Sequence, residues 1–197
     1  MPKTVLLHQL AKQGLIRARD LDRLAIPRAY LKRLVDRGEL ERVDRGLYRL
    51  PGAKVTEHHA LVEVSLRVPH AIVCLLSALQ LHGLTVESPH QVWVMIDNRA
   101  RHPKIGYPSL KVVRASGKAR THGVESNIFE KTEIKVTTPA KTVADCFRYR
   151  RHVGLDVALA ALRDYLRKYP KGIDELIRAA KVDRIYTLMR PYVEALV

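Results

Sequence analysis

The segment Val35-Asp36-Arg37-Gly38-Glu39-Leu40-Glu41-Arg42-Val43-Asp44-Arg45-Gly46-Leu47-Tyr48-Arg49-Leu50 constrains the fold of this chain more than any other. An apolar stripe at helical spacing (Leu31, Leu34, Val35) stops at Gly38, the residue type that closes a helix in the left-handed region. Leu40–Val43 and Leu47–Leu50 come next as two short strands around Asp44-Arg45-Gly46, a hairpin turn signal, and Pro51-Gly52 ends the unit. Upstream, Val5, Leu6, Leu10 and Leu15 lie near helical spacing, with Gly14 where a first helix would stop. Ala18–Leu24 reads as a short second helix. Ile26-Pro27 restarts a third, with Pro27 in the first turn, where its missing N–H costs nothing. Three helices feeding a two-stranded hairpin outline a winged helix-turn-helix over residues 1–52. The hairpin shares the helices' core through Leu47 and Leu50 or through Val43 and Tyr48. A unit this small buries little apolar surface, so it is expected to lean on the C-terminal part of the chain.

From Val55 the pattern changes. Glu57–Val68 and Val73–Leu81 read as helices separated by Pro69, and His82-Gly83-Leu84 closes the second. Gln91–Ile96, Leu110–Arg114, Ser126–Phe129 and Glu133–Thr137 read as strands. Thr138 caps a helix that has Pro139 in its first position and turns Val143, Ala144 and Phe147 inward. Two amphipathic helices complete the chain, Val157–Tyr169 and Asp174–Leu196, the latter broken near Asp183 or Pro191. The expected class is α+β: an N-terminal winged helix-turn-helix (1–52), then a mixed α/β C-terminal domain (53–197) with a small sheet flanked by helices.

Charge narrows the function. Lys plus Arg less Asp plus Glu is 35 − 20 = +15, while 47% hydrophobic content is enough to fill a core. Such a field favours a polyanionic partner. The longest apolar run, Ala71–Leu79, is about half of the roughly 20 residues a spanning helix needs, which speaks against a membrane role. The N-terminal apolar stretch is too short for a signal peptide. Cys74 and Cys146 sit among apolar neighbours, as buried thiols do in a reducing compartment, so a cytoplasmic location is expected. The nine histidines are scattered. There is no CxxC, Walker loop or GxGxxG, and no Ser/His/Asp set can be argued from the order of residues. The reading is therefore a binding protein without cofactor or metal, not an enzyme.

Residues 1–52 hold twelve basic and six acidic residues. On the third helix the apolar stripe leaves Arg28, Lys32, Arg33 and Arg37 on the other faces, with Tyr30 near its start. In a helix-turn-helix the N-terminal part of this helix enters the major groove, where Arg can bond guanine O6 and N7 together. Arg17 and Arg19 flank the second helix, where side chains meet phosphates. Arg42, Arg45 and Arg49 lie on the hairpin, with Arg45 at the tip, where a wing reaches the minor groove. Between Asn98 and His122 stands a second basic set: Arg99, Arg101, Lys104, Lys111, Arg114, Lys118 and Arg120, with no acidic residue. It reads equally as a solubilising surface or as a face for an acidic partner or a second stretch of DNA. Asp97 with Glu133-Ile134-Lys135 has the form of a metal-dependent nuclease motif, but Glu-x-Lys arises by chance in lysine-rich strands and a further acidic ligand is missing.

The chain also resembles a known family, the AbiEi-type antitoxins of type IV toxin–antitoxin systems. The resemblance lies in the segment 35–50, in Leu76-Ser77-Ala78-Leu79-Gln80-Leu81-His82-Gly83-Leu84, and in Val136-Thr137-Thr138-Pro139-Ala140-Lys141-Thr142-Val143-Ala144-Asp145, in that order. It implies a winged helix that represses its own operon by binding inverted repeats in promoter DNA. It also implies a C-terminal domain that neutralises a cognate nucleotidyltransferase-like toxin, often without a stable complex. A stand-alone winged-helix regulator is the alternative with the same architecture.

Overall fold

The computed structural model describes residues 14–21, 27–52 and 56–196, with the backbone alone at Arg28. The expected first helix falls largely outside the described residues, as does the second half of the expected second helix.

In the N-terminal unit, β1 (Ile16–Arg17) leads into a single 3-10 turn, Ala18–Asp20, then α1 (Arg28–Asp36), β2 (Glu41–Asp44) and β3 (Leu47–Arg49). The strands form an antiparallel sheet in the order β1-β3-β2. The third helix and the hairpin expected from the sequence are thus present, and β1 is an addition to them. Pro27 stands at the N-cap with extended backbone, one residue before the first helical position where it was expected. Gly38, at φ +70, closes α1: its N–H donates to Val35 O (2.9 Å) and the next N–H, from Glu39, to Leu34 O (2.9 Å). These two bonds satisfy carbonyls the helix end leaves open, and a side chain at this φ would strain the turn. Leu31, Leu34, Leu40, Ile16 and Leu21 make the small core, with Tyr48 and Leu50 of the hairpin packed against it. Neither expected pair holds as a whole: the core takes Tyr48 from one and Leu50 from the other, Leu47 is buried, and Val43 is not part of it.

The second unit runs α2 (His59–Arg67), β4 (Ile72–Val73), α3 (Leu75–His82), β5 (Val92–Asp97), β6 (Leu110–Ala115), α4 (Lys118–Thr121), β7 (Val124–Phe129), β8 (Thr132–Thr137), α5 (Pro139–Arg148), α6 (Arg150–Val153), α7 (Leu155–Lys168), α8 (Ile173–Val182) and α9 (Tyr186–Glu194). Its mixed sheet has the order β6-β5-β4-β8-β7. β4 was not expected: it is two residues long, yet it occupies the centre, antiparallel to β5 and parallel to β8. Val92–Ile96 is buried on both faces, as the unbroken apolar run in β5 requires. One sheet face, with Val73, Val94, Ile96, Ile134 and Val136, packs against α2. The other, with Ile72, Trp93, Met95 and Val113, packs against α3, α5 and the C-terminal helices. Thr138 caps α5, accepting from the Lys141 N–H, with Pro139 at the start of the helix. The C-terminal segment breaks at Asp183, between α8 and α9, while Pro191 lies inside α9 without ending it. No helix among the described residues is long and apolar enough to cross a membrane.

Candidate nucleic-acid interface

The surface builds up from α1 and the β2–β3 hairpin. The buried stripe Leu31–Leu34 fixes which faces of α1 remain outside, and Lys32, Arg33 and Arg37 are exposed there. Arg33 lies over the Tyr30 ring, 5.8 Å from its centroid, so Tyr30 supports a cation while half-buried against the core. Arg28 opens the helix, and its side chain lies outside the described residues. At the wing, Arg45 and Gly46 form the two-residue tip. The Arg45 N–H donates to Asp44 Oδ1 (2.7 Å), which leaves the guanidinium exposed. Gly46, at φ +76, receives the Ala18 N–H on its carbonyl (2.8 Å), and a Cβ there would meet the Ala18 methyl at 3.8 Å. The 3-10 turn therefore rests on the wing and brings Arg19, exposed, beside Arg45.

Two of the expected DNA-binding residues are engaged with carboxylates of the fold. Arg17 donates from Nε to Asp20 Oδ2 and from Nη2 to Asp20 Oδ1, each 3.1 Å. Arg49 donates from Nε to Glu41 Oε2 (2.7 Å) across the hairpin, the two being register partners. Arg42 is exposed, with Nε on the Asp44 carbonyl at 3.2 Å. Among the described residues of this unit, the cations that stand outward without such a carboxylate clamp are Arg19, Lys32, Arg33, Arg42 and Arg45, with Arg37 4.0 Å from Glu39.

The second basic set does not form one face. In β6 successive residues alternate sides. Lys111 lies over the Trp93 ring (5.8 Å) on the face of the C-terminal helices. Arg114 takes the opposite face, where Nη1 donates to the carbonyls of Asp97, Asn98 and Ala100 at 3.1, 2.8 and 2.9 Å. Arg120 donates to the His70 carbonyl (2.8 Å) and is half-buried. Arg99, Arg101, Lys104 and Lys118 are exposed. Lys104 joins Arg19 and Arg45 in lining a cleft of about 420 Å³ between the wing and the 98–109 loop.

That junction is held by Arg67, which the sequence did not single out. Its Nε lies 3.2 Å from Asp44 Oδ2 at the wing, Nη2 pairs with Glu63, and Nη1 donates to the Tyr107 carbonyl. A second tie runs from the β7–β8 turn. Glu130 accepts from Thr56 Oγ1 (2.6 Å) and pairs with His59 Nδ1 (2.9 Å), while its carbonyl lies 3.1 Å from where a Cβ on Gly14 would stand. Burial raises the Glu130 pKa, but the Thr56 and His59 contacts outweigh it and hold the carboxyl below its ordinary value. The Glu63–Arg67 spacing of four was a legible signal for the first tie; the Arg67–Asp44 pairing across the units and the Glu130–His59 pairing were not.

A buried charge centre lies behind this surface, in the third segment of the family resemblance. Lys141, 1% exposed, pairs with Asp145 one turn along α5 and places Nζ 2.8 Å from Asp183 Oδ2. Arg148 Nη1 adds a contact to Asp183 at 3.3 Å. Burial pushes Asp145 up to about 8, with Lys141 opposing and Asp183 adding to the rise. Cys74 and Cys146 are fully buried free thiols whose pKa burial raises.

The nuclease alternative has its residues on separated strands. Asp97 ends β5, Glu133 lies on β8, and β4 runs between them. Asp97 Oδ1 takes the Arg99 N–H (3.0 Å), and Glu133 Oε1 takes the Ser126 hydroxyl (2.7 Å). Among the described residues no group of three or more His, Cys, Asp or Glu is placed to hold a metal ion.

A winged helix-turn-helix joined to a mixed α/β domain is the architecture these elements define. Two family models match the chain: transcriptional regulator, AbiEi antitoxin, over residues 5–51, and AbiEi antitoxin C-terminal domain, over residues 71–187. The chain belongs to the AbiEi antitoxin family. Its fold is similar to the crystal structure of the RV2827C protein from Mycobacterium tuberculosis, with a TM-score of 0.56 at 12% identity, covering 96% of this chain and 79% of that one. None of the curated proteins matches the chain significantly.

Proposed function

We propose that this chain is a DNA-binding autorepressor and antitoxin that acts by binding, not catalysis, in the cytoplasm. Residues 1–52 form the DNA-binding unit and residues 53–197 the antitoxin unit. One observation carries the DNA half: Lys32, Arg33, Arg37, Arg42 and Arg45 stand outward on the helix and wing that such folds present to duplex DNA. Arg28 and Arg33, with Tyr30 supporting the latter, take base edges. Arg19 and Arg45 take backbone phosphates. Arg17 and Arg49 contribute less, because each would have to leave a carboxylate first. The test is a titration of the full chain onto the DNA upstream of its own coding sequence, which holds the inverted repeats of this reading. Arg33→Ala should lose about 1–3 kcal/mol on that site and little on random duplex. Equal losses on both would remove base reading from α1.

The antitoxin half rests on the AbiEi C-terminal match over residues 71–187. The partner is a nucleotidyltransferase-like toxin, antagonised with or without a stable complex. Co-expression of the neighbouring reading frame with the full chain is the test. Restored growth supports the role, and failure to restore it leaves a stand-alone regulator.

A further inference from the structure

We infer that the C-terminal unit holds a binding site for a small molecule with a diphosphate group, in the cavity between the loop after β6 and the break that separates α8 from α9. Lys118, Arg148 and Arg184 line this cavity with Ser116, and its volume of about 520 Å³ suits a small-molecule ligand. The carboxylate at its wall does not cancel these charges. Asp183 has a fully buried side chain, with Lys141 Nζ 3.0 and 2.8 Å from its two oxygens and Arg148 Nη1 3.3 Å from one of them. Among the described residues, Lys118 and Arg184 are both exposed and neither has an ion-pair partner. Two free head groups and a third engaged from one side match the paired anionic groups of a diphosphate better than a single phosphate, with arginine supplying a planar fork and lysine a point charge.

The backbone at Arg184 is an independent observation. The end of α8 is closed by two bonds, from the Ile185 N–H to the Ala180 carbonyl (2.9 Å) and from the Arg184 N–H to the Lys181 carbonyl (3.1 Å), with Arg184 at φ +58. That left-handed position ordinarily takes glycine, because a Cβ there crowds the backbone. An arginine where glycine would fold better points to a use for the side chain, and this one lines the cavity. The occupant is a free small molecule and not the duplex. The helices that wall the cavity, α5 and α8, pack on the sheet face opposite α2, the helix that holds the wing. The inference thus stands apart from the DNA-binding reading.

The test is isothermal titration of the full chain with inorganic pyrophosphate in magnesium-free buffer at fixed ionic strength, beside inorganic phosphate and sulfate. Wild type should take up one pyrophosphate per chain, about tenfold more tightly than either smaller anion. Lys118→Ala and Arg184→Gly should each weaken that binding about tenfold or more. Arg184→Gly should at the same time raise the urea midpoint, since glycine relieves the left-handed residue, so its loss of binding is not a loss of fold. Arg163→Ala removes an exposed arginine of α7 that does not line the cavity and should bind as wild type does. Absence of saturable pyrophosphate uptake would overturn the inference. Equal affinity for sulfate, or an equal loss from Arg163→Ala, would reduce the effect to net charge and overturn it too. Displacement of bound pyrophosphate by a short random duplex would give the cavity to nucleic acid instead, against the inference.

Discussion

Arg67 Nε lies 3.2 Å from Asp44 Oδ2, and this ion pair joins the tip end of the wing to the last turn of α2. The same guanidinium faces Glu63, whose side chain is 5% exposed and whose pKa burial raises. The arrangement fixes the N-terminal unit against the C-terminal unit instead of leaving it on a free tether. A unit with so small a core has reason to use such a support.

Replacing Arg67 with Met therefore isolates Glu63. The expected cost is about 2–4 kcal/mol in urea unfolding near pH 8. Glu63 then takes up a proton more readily in the folded state than in the unfolded chain, so stability falls as pH rises and the cost shrinks toward pH 5. Arg67→Lys should recover only part of it, since an ammonium cannot serve Asp44, Glu63 and the Tyr107 carbonyl with one planar fork. A cost independent of pH would count against the Glu63 contact.

The buried centre in α5 predicts an asymmetry. Lys141→Met leaves the buried carboxyl groups of Asp145 and Asp183 without the cation they share and should cost about 3–5 kcal/mol. Asp145→Asn should cost less, because burial raises the Asp145 pKa and so already works against its charged form. A folded pKa above the unfolded value means that stability declines as pH rises from the ordinary carboxylate range toward 8, and Asp145→Asn should remove that slope. Denaturant midpoints measured from pH 5 to 8.5 check both.

Glu130 titrates with the opposite sign. Its folded pKa is lowered, so its contribution is complete above the ordinary carboxylate range and disappears as pH falls through the lowered value. Glu130→Gln should be less stable than wild type near neutral pH and converge with it in acid. Parallel curves over the whole range would show that the contact with Thr56 and His59 carries no ionic component.

Leu34, 2% exposed in the N-terminal core, tests whether the helix face is set by burial. Leu34→Ala should cost about 2–5 kcal/mol by the cavity it opens. Near-UV and amide-exchange signals of α1 should weaken before those of β5.

Much of the fold was legible because its signals are local. Gly38, the Asp44-Arg45-Gly46 turn, the Thr138-Pro139 helix start and the continuous apolar run in β5 each act over a few residues, and each stands where the sequence puts it. β4 was not legible: Ile72-Val73 is too short for a periodicity, and its central place comes from partners at Val94 and Val136. Nothing local marks Lys141 as buried, because its partner Asp183 lies 42 residues away. For the interface, the positions of basic residues were readable but their engagement was not. Arg49 and Arg45 look alike in sequence, yet a cross-strand Glu41 occupies only the first. The alternation that separates Lys111 from Arg114 was present in the sequence; treating residues 98–122 as one charged run concealed it.

The most direct measurement is a titration of the full chain, at physiological salt, onto a labelled duplex from upstream of its own coding sequence and onto a random duplex of equal length. The account predicts selective binding, with the upstream duplex preferred by a factor of about 10³ or more. Equal affinity for the two duplexes would contradict it.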